Sequence, residues 1–473
     1  MSGRPDRFDL VVIGAGAAGL TAAGGAAMFG LRVALVEAGA MGGECLHTGC
    51  VPSKALIAAA ARAHSGRQGG RLGVTLKPPD VDFAAVREHV AGAIAELAPA
   101  DSQQRFEAMG VTVIHARARF LDPVTLQAGN HRLRAPRTVI ATGSRPSLPP
   151  IEGLAEAGPL TNETLFDLAT LPSHLLVLGS GPIGLEMAQA FRRLGSAVTV
   201  IDPGVPLARD DRDAANVVVK QLQAEGVRFV HDTAQRVERH PGVIVRCAGG
   251  EAIAGSHLLV ATGRRANTEA LDLAAAGVLE GADGIVVDGR RRTSNHRIHA
   301  IGDCRAGPRF THLAGYEGAL VAREVALGAP ARMDWRALPR VTYTDPELAQ
   351  AGLTEAEARD RHGDVTVTSE PFARNDRAVT EADTAGFLKL VHARGKVVGV
   401  TIVGAHAGEL LLPWTQIIGG KASSFALMSA VVAYPTRSEI SKAAAFAAWQ
   451  PAIFGTWPRR WARAVAASRR WRA

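Results

Sequence analysis

The feature that most constrains this chain is a strand, glycine turn and helix that occurs twice. The first copy, Phe8–Glu37, runs DLVVIGAGAAGLTAA and then RVALVEAG. It reads as a buried parallel strand, a GxGxxG turn at Gly14, Gly16 and Gly19, a helix, and a second strand closing on Glu37. The second copy, HLLVLGSGPIGLEMAQAFRRLGSAVTVID, carries Gly179, Gly181 and Gly184 and closes on Asp202. The acid follows the first glycine at the same interval in both (14 to 37, 179 to 202). Each copy is followed by a strand ending in ATG: VIATGSRP, with Thr142 and Gly143, and LVATGRRA, with Gly263. The glycines permit a tight turn and let a pyrophosphate approach the N–H groups of a helix start, where the dipole favours negative charge. The acid can accept hydrogen bonds from ribose hydroxyls. One such fingerprint is weak in a chain with 51 glycines. A duplicated one, with strand, helix and acid all in place, implies two dinucleotide sites, with a flavin and a nicotinamide as the natural pair.

Length and composition agree. A chain of 473 residues, 47% hydrophobic and 21% charged, is globular and long enough for two to four domains. No stretch of about 20 residues stays apolar, and MSGRPDRFDL runs into the first strand without a signal-peptide pattern. Both point to a cytoplasmic protein. Six arginines and no acid lie from Pro451 to Ala473, against a net charge of +8 for the whole chain. The remaining body is close to neutral and shows no nucleic-acid footprint.

Between the first copy and its next helix lies GGECLHTGCVPSKAL, from Gly42 and Gly43 to Leu56. Cys45 and Cys50 flank a glycine, and Pro52 follows as it does near helix starts. That setting puts Cys50 at the positive end of a helix dipole, with Lys54 one turn on, and both favour a thiolate. Three readings compete. A metal site needs further ligands, and only His47 is near. An inert pair leaves the glycines, proline and lysine unexplained. A redox disulfide beside a flavin accounts for all of them.

GGECLHTGCVPSKAL resembles the redox signature of the class I pyridine nucleotide–disulfide oxidoreductases, in the branch of dihydrolipoamide dehydrogenase and mercuric reductase. The resemblance runs from about Phe8 to about Lys442. It implies FAD and NAD(P)H as cofactors, Cys45 as the interchange thiol that meets the acceptor, and Cys50 as the thiol against the flavin. It further implies Lys54 beside the flavin N5, with Glu186 of GPIGLEMA as its partner. AIGDC, with Gly302 and Asp303, resembles the second flavin motif, and THLAGYEGALVA the helix beneath the flavin. Asp202, with Asp210, Asp211 and Asp213 close behind and Arg209 as a lone base, favours NADH over NADPH, because carboxylates repel a 2′-phosphate. Cys304 reads as a small packing residue.

The resemblance makes the fold α/β: two Rossmann-like dinucleotide-binding domains and an α+β C-terminal dimerisation domain. The expected layout is an FAD domain over 1–150 completed by 284–335, an NAD(P) domain over 151–283, an interface domain over 336–450 and a basic tail over 451–473. The family is homodimeric, each partner completing the other's active site with a His-Pro-Thr-x-x-Glu segment. Here that segment is Tyr434-Pro435-Thr436-Arg437-Ser438-Glu439. A tyrosine has a pKa of about 10 against about 6.5 for imidazole, so Tyr434 is a poor proton acceptor near neutrality. Dithiol–disulfide exchange is handicapped, and Tyr434 is left to donate a hydrogen bond, meet a metal ion or simply pack the interface. A strict mercuric reductase is not expected: the tail carries no cysteine pair of the kind that enzyme uses to deliver its metal, and an added N-terminal metal-binding domain is not expected either.

The expected function is therefore reduction of an acceptor by NAD(P)H through FAD and Cys45–Cys50, the acceptor being a small disulfide, a metal ion such as Hg(II), or a quinone. No resident metal is expected. The rivals are a true dihydrolipoamide dehydrogenase and a membrane-peripheral redox sensor without turnover. Trp449, Trp457, Trp461 and Trp471, interleaved with the tail arginines, read as a peripheral membrane contact, with a disordered basic tail or a helix packed on the dimer as the alternatives.

Overall fold

The computed structural model describes residues 5–471 other than 69–71, 75–76, 78 and 330–331. It divides into two compact units. One comprises Met1–Gln68, Leu76–Gly204 and Val227–Met333; the other comprises Gly69–Thr75, Val205–Gly226 and Asp334–Ala473.

The first unit holds both glycine-turn modules. One is a five-stranded parallel sheet in the order Ile298–Ala300, Arg137–Ile140, Leu10–Ile13, Val33–Glu37, Thr112–His115. Leu10–Ile13 is buried along its whole length, as a central parallel strand covered on both faces must be. The other is a four-stranded parallel sheet in the order Arg228–Val230, Ala197–Ile201, His174–Leu178, His257–Val260. Both ATG segments directly follow strands that pair beside a glycine-turn strand, Arg137–Ile140 and His257–Val260. Each fingerprint and its ATG partner therefore open on the same carboxyl edge, where doubly wound sheets bind ligands. The chain is α/β, as the duplicated pattern predicts.

The second unit is built on an antiparallel sheet in the order Pro339–Thr342, Glu347–Gly352, Lys396–Gly404, Phe387–Ala393, Thr366–Pro371. Trp414 is fully buried in its core, its Nε1 donating to Ser441 Oγ at 3.1 Å. The helix Arg212–Ala224 also belongs here. Its cap, Asp211, is buried and meets Lys389 Nζ at 3.0 Å; Asp213 meets the same amine at 2.6 Å, and Asp210 pairs with Arg340 at 3.1 Å. These three acids are thus committed to cations of the second unit. The sequence argument for NADH narrows to Asp202 alone.

No helix among the described residues is long and apolar enough to cross a membrane.

Candidate redox and dinucleotide site

The two glycine turns fold alike because the same steric demands are met twice. Gly14 and Gly179 have φ of +102° and +105°, in the region that disfavours side chains. A Cβ on Gly19 would lie 1.8 Å from Gly14 O, and one on Gly184 would lie 2.1 Å from Gly179 O. Each helix therefore packs against its own turn. Glu37 Oε2 accepts from Ala15 N at 2.5 Å, and Asp202 Oδ2 accepts from Ser180 N at 2.6 Å. The second oxygen of each holds the N–H two residues on, in Gly39 and Gly204. The acid at the end of the second strand thus fixes the turn from which it is separated by a whole helix.

Both helices start without a side-chain cap, Ala17–Met28 after Gly16 and Pro182–Leu194 after Gly181. Asp82 and Asp211, by contrast, cap their helices with a carboxylate. The helix Thr311–Leu327 is also uncapped. Three helix ends of the first unit thus offer free N–H groups and a positive dipole end to an anionic or electron-rich ligand.

Cys45 lies on the short helix Gly43–His47, and Cys50 opens the helix Cys50–Gln68. The structure holds them as two thiols within hydrogen-bonding reach of each other. They divide the proton unequally. The hydrogen bond from Cys45 pulls Cys50 down to about 6, against the opposing effect of burial. Thr311, whose Oγ1 lies 3.2 Å from Cys50 Sγ, and the Lys54 charge add to the lowering. Cys45 is pushed up by the same hydrogen bond, by burial and by the charge on Cys50. Near neutrality Cys50 is the thiolate and Cys45 keeps its proton. Lys54 Nζ donates to Glu186 Oε2 at 2.9 Å, and Glu186 is almost fully buried in the helix Pro182–Leu194. This pair joins the redox helix to the second glycine module. The His47 Nε2 is bonded to Met41 O at 2.8 Å.

Glu44, beside Cys45 in sequence, is the centre of a polar cluster. Its carboxylate pairs with Arg264 and accepts from Asn162 Nδ2 at 2.9 Å; the same amide donates to Thr48 O at 3.1 Å, inside the cysteine loop. Arg264 Nε reaches Ser144 Oγ at 2.8 Å, and Ser144 donates to Asp303 Oδ2 at 3.0 Å. One guanidinium thus serves two carboxylates. Burial pushes Glu44 up to about 7 even with Arg264 beside it. Thr142 and Asn267 exchange hydrogen bonds at 2.6 and 3.1 Å, fixing the first ATG turn. Gly302 N donates to the buried Glu317 at 2.8 Å. Cys304 is fully buried, donates to Ile140 O and Ile301 O, and is pushed up to about 11 by burial, so it packs rather than reacts.

In the second unit, the Tyr434 hydroxyl donates to Asp376 Oδ2 at 2.9 Å and is largely exposed. That bond and the Asp376 charge raise its pKa further. The Glu439 charge adds to that rise, and its carboxylate accepts from Thr436 N at 3.2 Å at the start of its own helix.

Residues 8–318 match the pyridine nucleotide-disulphide oxidoreductase family, and residues 338–445 match its dimerisation domain. The chain belongs to this family. A mercuric reductase of Streptomyces lividans is 36% identical over 93% of this chain and 95% of its own length. A dihydrolipoyl dehydrogenase of Geobacillus stearothermophilus is 35% identical over 92% and 95%. Among solved structures, LpdA of Mycobacterium tuberculosis superposes with a TM-score of 0.85 at 28% identity, covering 93% of this chain and 98% of that one. The Cu(II) complex of the HOCl-induced flavoprotein disulfide reductase RclA of Escherichia coli gives 0.82 at 28% identity, covering 92% and 98%.

Membership implies FAD and a pyridine nucleotide for this oxidoreductase, and its backbone fits both. At Gly143, Gly181 and Gly263 a Cβ would meet no atom within 4 Å, so these turns border open space that side chains would fill. Gly16 and Gly43 approach each other so closely that a Cβ on Gly43 would lie 2.7 Å from Gly16 Cα. The cysteine loop is thereby pressed onto the first glycine turn. Sequence reasoning missed Thr311, Asn162, Arg264 and Asp376. Only Thr311 had a signal, standing first in the THLAG helix expected beneath the flavin.

Proposed function

We propose that this oxidoreductase passes electrons from NADH through FAD to the Cys45–Cys50 pair, and from there to a metal ion. The observation that carries this is the pairing of a thiolate-prone Cys50, against Thr311 and near Lys54–Glu186, with a tyrosine where an acid–base histidine is expected. Bound FAD supplies a two-electron relay between nicotinamide and disulfide. Gly14, Gly16, Gly19, Glu37, Gly42, Gly43, Thr142, Gly143, Gly302 and Asp303 hold it in this reading. Gly179, Gly181, Gly184, Asp202 and Gly263 hold the nucleotide, and Asp202 favours NADH by repelling a 2′-phosphate.

The proton balance favours the metal ion. A hydride equivalent brings two electrons and one proton, leaving Cys45 as thiol and Cys50 as thiolate. Reducing a disulfide then requires the Cys45 proton to reach the departing thiolate, which calls for a shuttle. Reducing one Hg(II) by two electrons to Hg(0), or two Cu(II) by one electron each to Cu(I), reforms the disulfide and only releases that proton. Tyr434, tied to Asp376 and raised in pKa, is a poor shuttle. Relatives named for mercuric reduction, and an RclA structure with Cu(II), support the same class of acceptor. The enzyme acts as a homodimer in this reading, the partner's interface domain bringing Tyr434 and Glu439 to the cysteines. It works in the cytoplasm, peripheral to the inner face of the membrane.

Anaerobic titration with NADH tests the core of the reading. A long-wavelength thiolate–flavin absorbance is expected, followed by turnover with Hg(II) or Cu(II). A flavin that bleaches without that absorbance would overturn it. For the acceptor, Tyr434→His should raise dihydrolipoamide:NAD activity by roughly 10²-fold. High activity of the unaltered enzyme with dihydrolipoamide, unchanged in Tyr434→His, would point to a dihydrolipoyl dehydrogenase.

A further inference from the structure

The helix Thr456–Arg470 lies beyond the residues that match the family's dimerisation domain, which stop at 445. None of its residues is buried. Trp457 and Trp461 are 78% and 67% exposed, and Trp471, which caps the helix, is 92% exposed. Trp449 is different. It belongs to the preceding helix, Glu439–Ile453, donates to Ser424 Oγ at 3.0 Å and stacks edge-on against Phe425. The tail aromatics are therefore three rather than the four read from sequence. Arg472 lies outside the described residues.

At 100° per residue, Trp457, Trp461, Ala464, Val465, Ser468 and Trp471 fall within roughly a third of the helix circumference. Arg460 and Arg469 flank this stripe, and Arg459, Arg463 and Arg470 occupy the opposite side. None of these five arginines makes an ion pair among the described residues, and the helix contains no acid. A soluble helix with three indoles in water has an unmet need for an apolar surface.

We infer that Thr456–Arg470 is a docking helix for an anionic lipid surface, lying in the plane of the headgroups with its tryptophan stripe inward. Three features select this partner. Indoles prefer the boundary between acyl chains and headgroups, with the ring apolar and the N–H wet. Arginines on both edges of the stripe can reach phosphates while their stems cover apolar surface. Electrostatic attraction to anionic lipid adds to apolar burial, and two signals together give stable peripheral binding where one does not. A second copy of the same helix fits poorly, because it brings a like-charged face. Nucleic acid would satisfy the arginines and leave the indoles in water. The inference rests on the peripheral placement proposed above and does not depend on which acceptor is used. In a dimer two such helices act together, so each needs only modest affinity.

The test uses the full-length, FAD-loaded protein sedimented with vesicles of phosphatidylcholine alone or mixed with phosphatidylglycerol. Binding is expected to be at least about tenfold stronger to the mixed vesicles and to weaken as salt is raised. Tryptophan emission should shift to the blue on binding. Trp457→Ala with Trp461→Ala should weaken binding about tenfold or more, with NADH-dependent turnover of a soluble acceptor and the dimer mass unchanged. Equal binding to neutral vesicles, full binding by the tryptophan variant, or tighter binding to duplex DNA than to vesicles would each overturn the inference. A change in oligomer mass in the variant would overturn it too, by assigning the stripe to a contact between copies. Loss of turnover in the unaltered protein would instead count against the enzymatic reading, so the two failures are separable.

Discussion

Cys50→Ser should retain FAD and accept electrons from NADH, yet lose the long-wavelength absorbance and reduce metal ions at least roughly 10³-fold more slowly. The loss follows from removing the sulfur that carries the negative charge, the one partnered by Thr311 at 3.2 Å and acted on by Lys54. The same geometry fixes a pH dependence. A thiol lowered to about 6 is a thiolate above that pH and a thiol below it. In the unaltered, two-electron-reduced enzyme the absorbance should therefore be full near neutrality and fade as pH falls through about 6. Thr311→Ala should move that midpoint upward, because one hydrogen bond to the charged form is gone. A pH-independent absorbance, or one that survives in Cys50→Ser, would assign the charge to another group.

The second large effect separates the two nucleotide sites. Gly19→Val should yield a colourless protein, because its Cβ would stand 1.8 Å from Gly14 O and force the first turn open. Overpacking of this kind costs about 1–3 kcal/mol by itself. Loss of a tightly held cofactor removes roughly a further 4 kcal/mol at a thousandfold excess over its Kd. Gly184→Val makes the equivalent clash, 2.1 Å from Gly179 O, in the other module. It should give a yellow protein whose flavin is reduced by dithionite and not by NADH. Absorbance spectra of the two purified variants check both statements. If Gly184→Val lost flavin and Gly19→Val kept it, the assignment of the two turns would be reversed.

The parts of this molecule legible in its sequence are those where backbone geometry dictates residue type. Gly14 and Gly179 must sit at positive φ, Gly19 and Gly184 must let a helix touch its turn, and buried parallel strands must be continuously apolar, so the duplicated modules could be read directly. Cys50 at a helix start and Lys54 one turn later are local, and they too were legible. Glu186 was placed by family resemblance, since it lies 132 positions from Lys54 and spacing cannot join them. The Glu44–Arg264–Asn162 cluster was not legible for the same reason: its members come from separate segments, and each alone reads as a surface polar residue. The acids after Asp202 show the opposite error. They looked like part of a cofactor pocket because they are close in sequence, whereas the chain there crosses into the second unit and spends them on Lys389 and Arg340. Tyr434 could be recognised as a departure, but its tie to Asp376 required the fold.

The helix Thr311–Leu327 has a consequence for how this enzyme can be tuned. Its first residue contacts the Cys50 sulfur, Glu317 in its middle holds Gly302 and Arg305, and Glu324 near its far end is gripped by Arg290. A rod of 17 residues is about 25 Å long and too stiff to bend over that span without cost. Arg290→Ala, which loosens the far end of this rod, is therefore expected to shift the pH at which the Cys50 thiolate absorbance fades, and an unchanged midpoint would show that the two ends are uncoupled.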